Sequence, residues 1–147
     1  MIAIAASLSK SREFSAAEPG FGEGGAIFGG RGEEPEPIID LVHLSRQTLS
    51  DQALEVELLD LFDRQSARII AQLRDAGADD GKVRGDLAHT LRGSALAVGA
   101  GRVARVAQIY EARCASAPRG AAAAAALEAL ASAVAEARAT IAQLLGQ

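Results

Sequence analysis

The chain has no tryptophan, one tyrosine and four phenylalanines. A core so poor in aromatics has to be assembled from small aliphatic side chains, and alanine and leucine dominate the sequence. Runs of β-branched residues are few, so the composition favours helices over sheet. Cys114 is the only cysteine. That excludes an intrachain disulfide framework and fits a reducing compartment. No apolar run approaches the roughly 18 residues that a bilayer span requires. The apolar stretch Ile2 to Leu8 is short, and its charges, Lys10 and Arg12, follow it. A secretory signal carries its positive charges first, so a cytoplasmic location is expected, with no membrane partner. A basic stripe is lacking too. Of the formal charge of −4, three basic and six acidic residues precede Ile38, which leaves 12 basic and 13 acidic residues for the rest. A nearly neutral domain is a poor ligand for nucleic acid, and none is expected. Neither a phosphate-cradling glycine loop nor an acidic magnesium cluster is present, which argues against autonomous kinase activity.

What is there falls into two parts. Residues 1–37 hold three of the four prolines and seven of the fifteen glycines. They show no sustained helical or strand period and read as a flexible extension. From Ile38 to the C-terminus the pattern becomes helical. Ile38, Ile39, Leu41, Val42 and Leu44 suggest a short leading helix, with His43 as a structural histidine. Ser50 is a candidate N-cap for a long helix to about Ala76, with Leu54, Leu58, Leu61, Phe62, Ile69 and Leu73 on its inner side and Gly77 as its stop. Asp79-Asp80-Gly81 reads as a turn that caps the next helix, which Gly99-Ala100-Gly101 ends. Val103, Val106, Ala107, Tyr110 and Cys114 line the following one. Pro118-Arg119-Gly120 breaks it, and Leu127, Leu130, Val134, Ala137, Ile141 and Leu144 mark the last. The alanine run 121–126 extends that last helix. Long helices with short turns predict an antiparallel up-down-up-down four-helix bundle, with the leading helix over one end.

One helix carries a chemical signal. With His89 at zero on a helical wheel, Lys82, Gly85, Asp86, Arg92, Gly93 and Leu96 lie within about 60° of it. Leu87, Leu91, Ser94, Ala95 and Val98 lie on the far side. The histidine therefore faces water, beside a cation and two glycines. His89 and Glu111 are each eleven residues from Ala100. Across an antiparallel hairpin they fall at one height. A carboxylate there can accept from Nδ1–H and leave Nε2 free to attack.

The run His89-Thr90-Leu91-Arg92-Gly93-Ser94-Ala95-Leu96-Ala97-Val98-Gly99 resembles the phosphoacceptor motif of the histidine phosphotransfer (HPt) family, His-x-Leu-Lys-Gly-Ser-Ala-x-x-x-Gly. His89, Leu91, Gly93, Ser94, Ala95 and Gly99 match in place, and Arg92 stands where the family usually has lysine. The resemblance extends from about Ile38 to the C-terminus. It implies a four-helix bundle that relays phosphoryl groups between receiver-domain aspartates, with His89 as the acceptor. Arg92 would offset phosphate charge. Gly93 would leave room for the partner's active-site loop, and Gly85 could do likewise. Glu111 would orient the ring, a part often taken by glutamine in similar domains. The partners implied are a response-regulator receiver and a sensor or hybrid kinase, docking on an apolar patch that includes Leu96. Mg²⁺ is expected on the receiver, no cofactor on this chain, and a monomer is expected. The competing reading is a phosphorylation-independent helical adaptor that binds or sequesters a receiver.

Overall fold

A computed structural model describes residues 35–76, 80–117 and 119–147. The expectations for the extension up to residue 34, and for Gly77, Asp79 and Pro118, lie outside these. The described residues form five helices and no strand: α1 Leu41–Gln47, α2 Gln52–Asp75, α3 Gly81–Val98, α4 Gly101–Ser116 and α5 Ala121–Leu144. Helix α3 packs most extensively on α4; α4 also touches α5, and α2 touches both α3 and α5. The short α1 rests on α2 and α3.

Each helix starts and stops for local reasons. Asp40, Asp51 and Asp80 cap α1, α2 and α3, their carboxylates accepting from the backbone N–H groups of His43, Leu54 and Val83. These bonds satisfy donors that a helix start otherwise leaves open. The cap of α2 is therefore Asp51, not Ser50 as its sequence suggested. Ser50 lies one residue outside the helix at φ 63°, after Leu49 at φ 55°. There its hydroxyl pairs with that of Ser45 across 3.2 Å. Gly99 ends α3 in the left-handed conformation, φ 82°, and its N–H donates to Ala95 O. That conformation costs glycine little.

The buried stripes converge on one core. Leu59, Phe62, Ile69 and Leu73 enter it from α2, and Ala88, Leu91, Ala95 and Val98 from α3. Val103, Ala107, Tyr110 and Cys114 enter from α4, and Leu130, Val134, Ala137 and Ile141 from α5. Ile39 and Leu44 close one end. Two residues expected inside α2 are not: Leu54 is 37% and Leu61 44% exposed. With Phe62 at zero, the buried α2 positions span about −20° to +80°. Leu54 and Leu61 fall near −80° and −100°, off that stripe. Ser66, fully buried in the middle of the stripe, breaks its apolar pattern and hides where it is centred. Its hydroxyl is satisfied by Asp63 O at 3.1 Å. Leu144, also expected inside, is exposed at the last turn of α5.

Polar pairs join the helices outside the core. Arg138 on α5 reaches Asp63 on α2, its Nε donating to Oδ1 across 2.8 Å. Arg102 on α4 pairs with Glu136 on α5. His43 Nε2 meets Leu96 O at 3.0 Å, which ties α1 to α3 and gives this histidine a structural bond. Among the described residues, no helix is long and apolar enough to cross a membrane.

Candidate functional site

His89 sits at the middle of α3. Its neighbours Ala88 and Leu91 are fully buried, which fixes the helix face and turns the imidazole outward. The side chain is 70% exposed, yet its Nδ1 lies 3.0 Å from Glu111 Oε1 on α4. With the proton on Nδ1 the ring donates to that carboxylate, which leaves Nε2 with a free lone pair.

Glu111 is anchored by its surroundings. Tyr110 and Cys114, beside it on α4, are buried in the core. Its Oε2 is buried and has no hydrogen-bond partner. Arg92 Nη1 lies 3.7 Å from that oxygen, close enough for attraction but beyond a hydrogen bond. Arg92, one turn beyond His89, is half-buried. One carboxylate thus faces both the imidazole and the guanidinium.

The glycines differ in what surrounds them. A Cβ added at Gly93 would meet nothing within 4 Å, whereas one at Gly85 would lie 4.0 Å from Cys114 Cβ. Gly93 borders open space next to His89, while Gly85 faces α4 in ordinary contact. Leu96 is half-buried and packed against the core, so it offers a partner only part of its surface. Lys82 and Asp86 pair with each other at 2.7 Å on the exposed side of α3.

Two groups behind the site are perturbed. Burial raises the Cys114 thiol above its ordinary pKa and does the same to the Tyr110 phenol. Removal from water disfavours the charged form of each.

The structure therefore brings His89, Arg92 and Glu111 into one cluster, with Gly93 open beside it. Sequence reasoning missed two neighbours. Ser94 donates to Gln65 Oε1 on α2 across 2.6 Å, and Arg105 on α4 pairs with Glu36. Both contacts join positions far apart in sequence. A lone polar residue on an amphipathic helix does not announce such a partner.

An all-helical domain with an exposed histidine, oriented by a carboxylate on the next helix, is the class that fold and site define. Residues 57–143 match the family model of the Hpt domain, and the chain belongs to that family. Hpt domains perform histidine phosphotransfer in two-component systems and work with receiver domains and kinases. No curated protein and no solved structure matches the chain.

Proposed function

We propose that this protein is a phosphoryl carrier that relays the group between receiver-domain aspartates through a phosphohistidine at His89, with no kinase activity of its own. The observation that carries this reading is the 3.0 Å contact of an exposed His89 Nδ1 with Glu111. With the proton on Nδ1, this contact leaves Nε2 with the free lone pair that nucleophilic attack needs. In the forward step the Nε2 lone pair attacks phosphorus of the receiver's aspartyl phosphate. A P–N bond forms, the P–O bond to the aspartyl carboxyl breaks, and the aspartate leaves as carboxylate. The ring then carries positive charge, which Glu111 Oε1 faces through Nδ1–H. Arg92 turns from Glu111 toward the phosphoryl oxygens and offsets their charge. The reverse sequence passes the group to another receiver. Mg²⁺ comes with the receiver, and the chain's share of catalysis is positioning and charge compensation.

The helix contacts and short turns support an up-down-up-down arrangement of α2–α5, acting as a cytoplasmic monomer. No observation favours the adaptor alternative. The test is incubation with a receiver domain loaded by acetyl phosphate, followed by analysis of label on this chain. Acid-labile, alkali-stable label is expected on the wild type and none on H89Q. Full labelling of folded H89Q would sink the relay reading.

A further inference from the structure

A groove of about 130 Å³ runs between α3 and α4 beside the histidine, lined by Arg92, Leu96, Ala104, Arg105 and Gln108, with Glu36 and Gly101 at its far end. Its register follows from the turn at Ala100. His89 stands across from Glu111, Arg92 from Gln108 and Leu96 from Ala104, in steps away from the site. The far end is closed by the segment that leads into α1. Glu36 lies against Gly101, where even a Cβ would collide with its carboxylate. The same carboxylate pairs with Arg105 Nη1. The segment is held there by Asp40 N–H, which donates to Gly99 O across 3.0 Å, and by buried Ile39.

We infer that this groove is a docking subsite for an acidic side chain of the receiver, and that Glu36 fills it in the free protein as a displaceable guard. The inference rests on the relay reading and adds a partner contact and a regulator to it. Three observations carry it. First, a carboxylate already fits the subsite, so its chemistry is that of Arg105 with Arg92 behind it. Second, the pair is weak enough to exchange, since the Arg105 and Glu36 side chains are 61% and 46% exposed, and exposed pairs contribute at most about 1 kcal/mol. Third, the distance suits a docked partner. Gly101 lies ten residues along α4 from Glu111, or about 15 Å. An interface of standard size covers about 800 Å² per partner, a disc of roughly 16 Å radius. A receiver centred on His89 therefore reaches the far end of the groove and covers Arg105, about 9 Å along α4 from Glu111, and exposed charges there act on encounter rate and salt dependence.

The experiment measures transfer from a panel of acetyl-phosphate-loaded receiver domains, at varied receiver concentration, to the full-length wild type, E36Q, R105A and the double variant. Melting curves of all four confirm folding. For a receiver that loads the wild type, E36Q should lower its apparent KM by about two- to fivefold, the range an exposed ion pair commands. The gain should appear in KM rather than in the saturating rate, and it should fade as salt rises. R105A should raise KM, and the double variant should match R105A alone. Transfer to the wild type that E36Q does not improve overturns the inference, as does a gain that survives in the double variant. If no receiver loads the wild type at all, the relay reading falls first and this one with it.

Discussion

Glu111 faces the His89 ring and the Arg92 guanidinium at once, and that sharing sets what each substitution does. E111Q keeps an oxygen that can accept from His89 Nδ1–H but removes the charge that compensates the cationic ring. E111A removes both, and the ring is then free to place its proton on either nitrogen. A hydrogen bond to a charged group contributes about 1.5 kcal/mol or more when protected, and less here because His89 is 70% exposed. Transfer by E111A should therefore slow by about three- to tenfold, and E111Q by less. Equal rates for all three proteins in a rapid-quench assay would show that Glu111 does not orient the ring. Arg92 makes a second residue-level case. Its ion pair is long at 3.7 Å, so R92A should change thermal stability by no more than about 0.5 kcal/mol. It should still slow transfer, and R92K should be tolerated because the charge is kept. Gly93 separates docking from chemistry. Nothing stands within 4 Å of its built Cβ, and glycine in a helix costs up to about 1 kcal/mol relative to alanine. G93Q should thus melt at or above the wild-type temperature and take label from phosphoramidate. It should take none from a receiver. An unfolded G93Q would mean that the glycine serves internal packing.

The elements show how far the sequence could be read. Apolar spacing and the glycine and proline breaks marked all five helices, because three-four periodicity survives wherever a stripe is wholly apolar, while the cap was read correctly for α3 and one residue early for α2. Helix α2 shows the limit: a buried serine in mid-stripe shifted the inferred face, and two leucines were placed inward that lie outside. His89 and Glu111 could be paired from sequence because they lie on adjacent helices joined by a tight turn at Gly99 and Ala100, where equal counting gives equal height. Gln65 with Ser94 has a blunter ruler, since residues 76–80 separate α2 from α3 and leave the pivot less sharply set than at Ala100, and Glu36 with Arg105 has none, since Glu36 precedes the first helix. The turn that supplied the ruler is itself testable. Gly99 sits at φ 82°, and an added Cβ would come within 2.8 Å of Asp40 O. G99A adds left-handed strain of about 1–2 kcal/mol to that collision, so a loss of about 2 kcal/mol or more is expected in urea melts. An unchanged midpoint would mean that the Asp40 segment yields freely. Helix α4 carries a pH-dependent element. Burial raises Cys114 and Tyr110 from ordinary values of 9.0 and 10.0. As pH climbs through those values the unfolded chain releases these protons first, and the native state holds more of them. Stability is therefore complete below about pH 9 and falls as pH rises through the folded values. Melting temperature should drop across that range, and C114A should flatten part of the slope.

For the whole molecule, the open question is where the folding unit begins. Composition alone puts the boundary before Ile38, and the domain partition 1–37 and 38–147 remains a proposal to be tested by truncation. The contacts of the lead-in segment make the outcome graded rather than all-or-none. Glu36 touches α4 through an exposed ion pair with Arg105, which contributes little to stability, and through its carboxylate against Gly101. Ile39 is 5% exposed, and burial of such a side chain contributes about 1.5–3 kcal/mol. Asp40 adds its cap on α1, about 1 kcal/mol in typical helices, and its bond to Gly99 O. A chain starting at Pro35 should therefore melt with the full-length protein and accept phosphate equally well. One starting at Ile38 should keep the same stability within about 0.5 kcal/mol, the usual range for surface changes, and load faster from a receiver because Glu36 is gone. One starting at Leu41 loses Ile39 and the Asp40 cap together, so it should be less stable by about 3 kcal/mol. Loss of folding already in the Pro35 chain would show that residues before it contribute to the core. Full stability of the Leu41 chain would show that the lead-in is a passenger, and that the contact between Asp40 and the α3–α4 turn does not help to hold His89 and Glu111 in register.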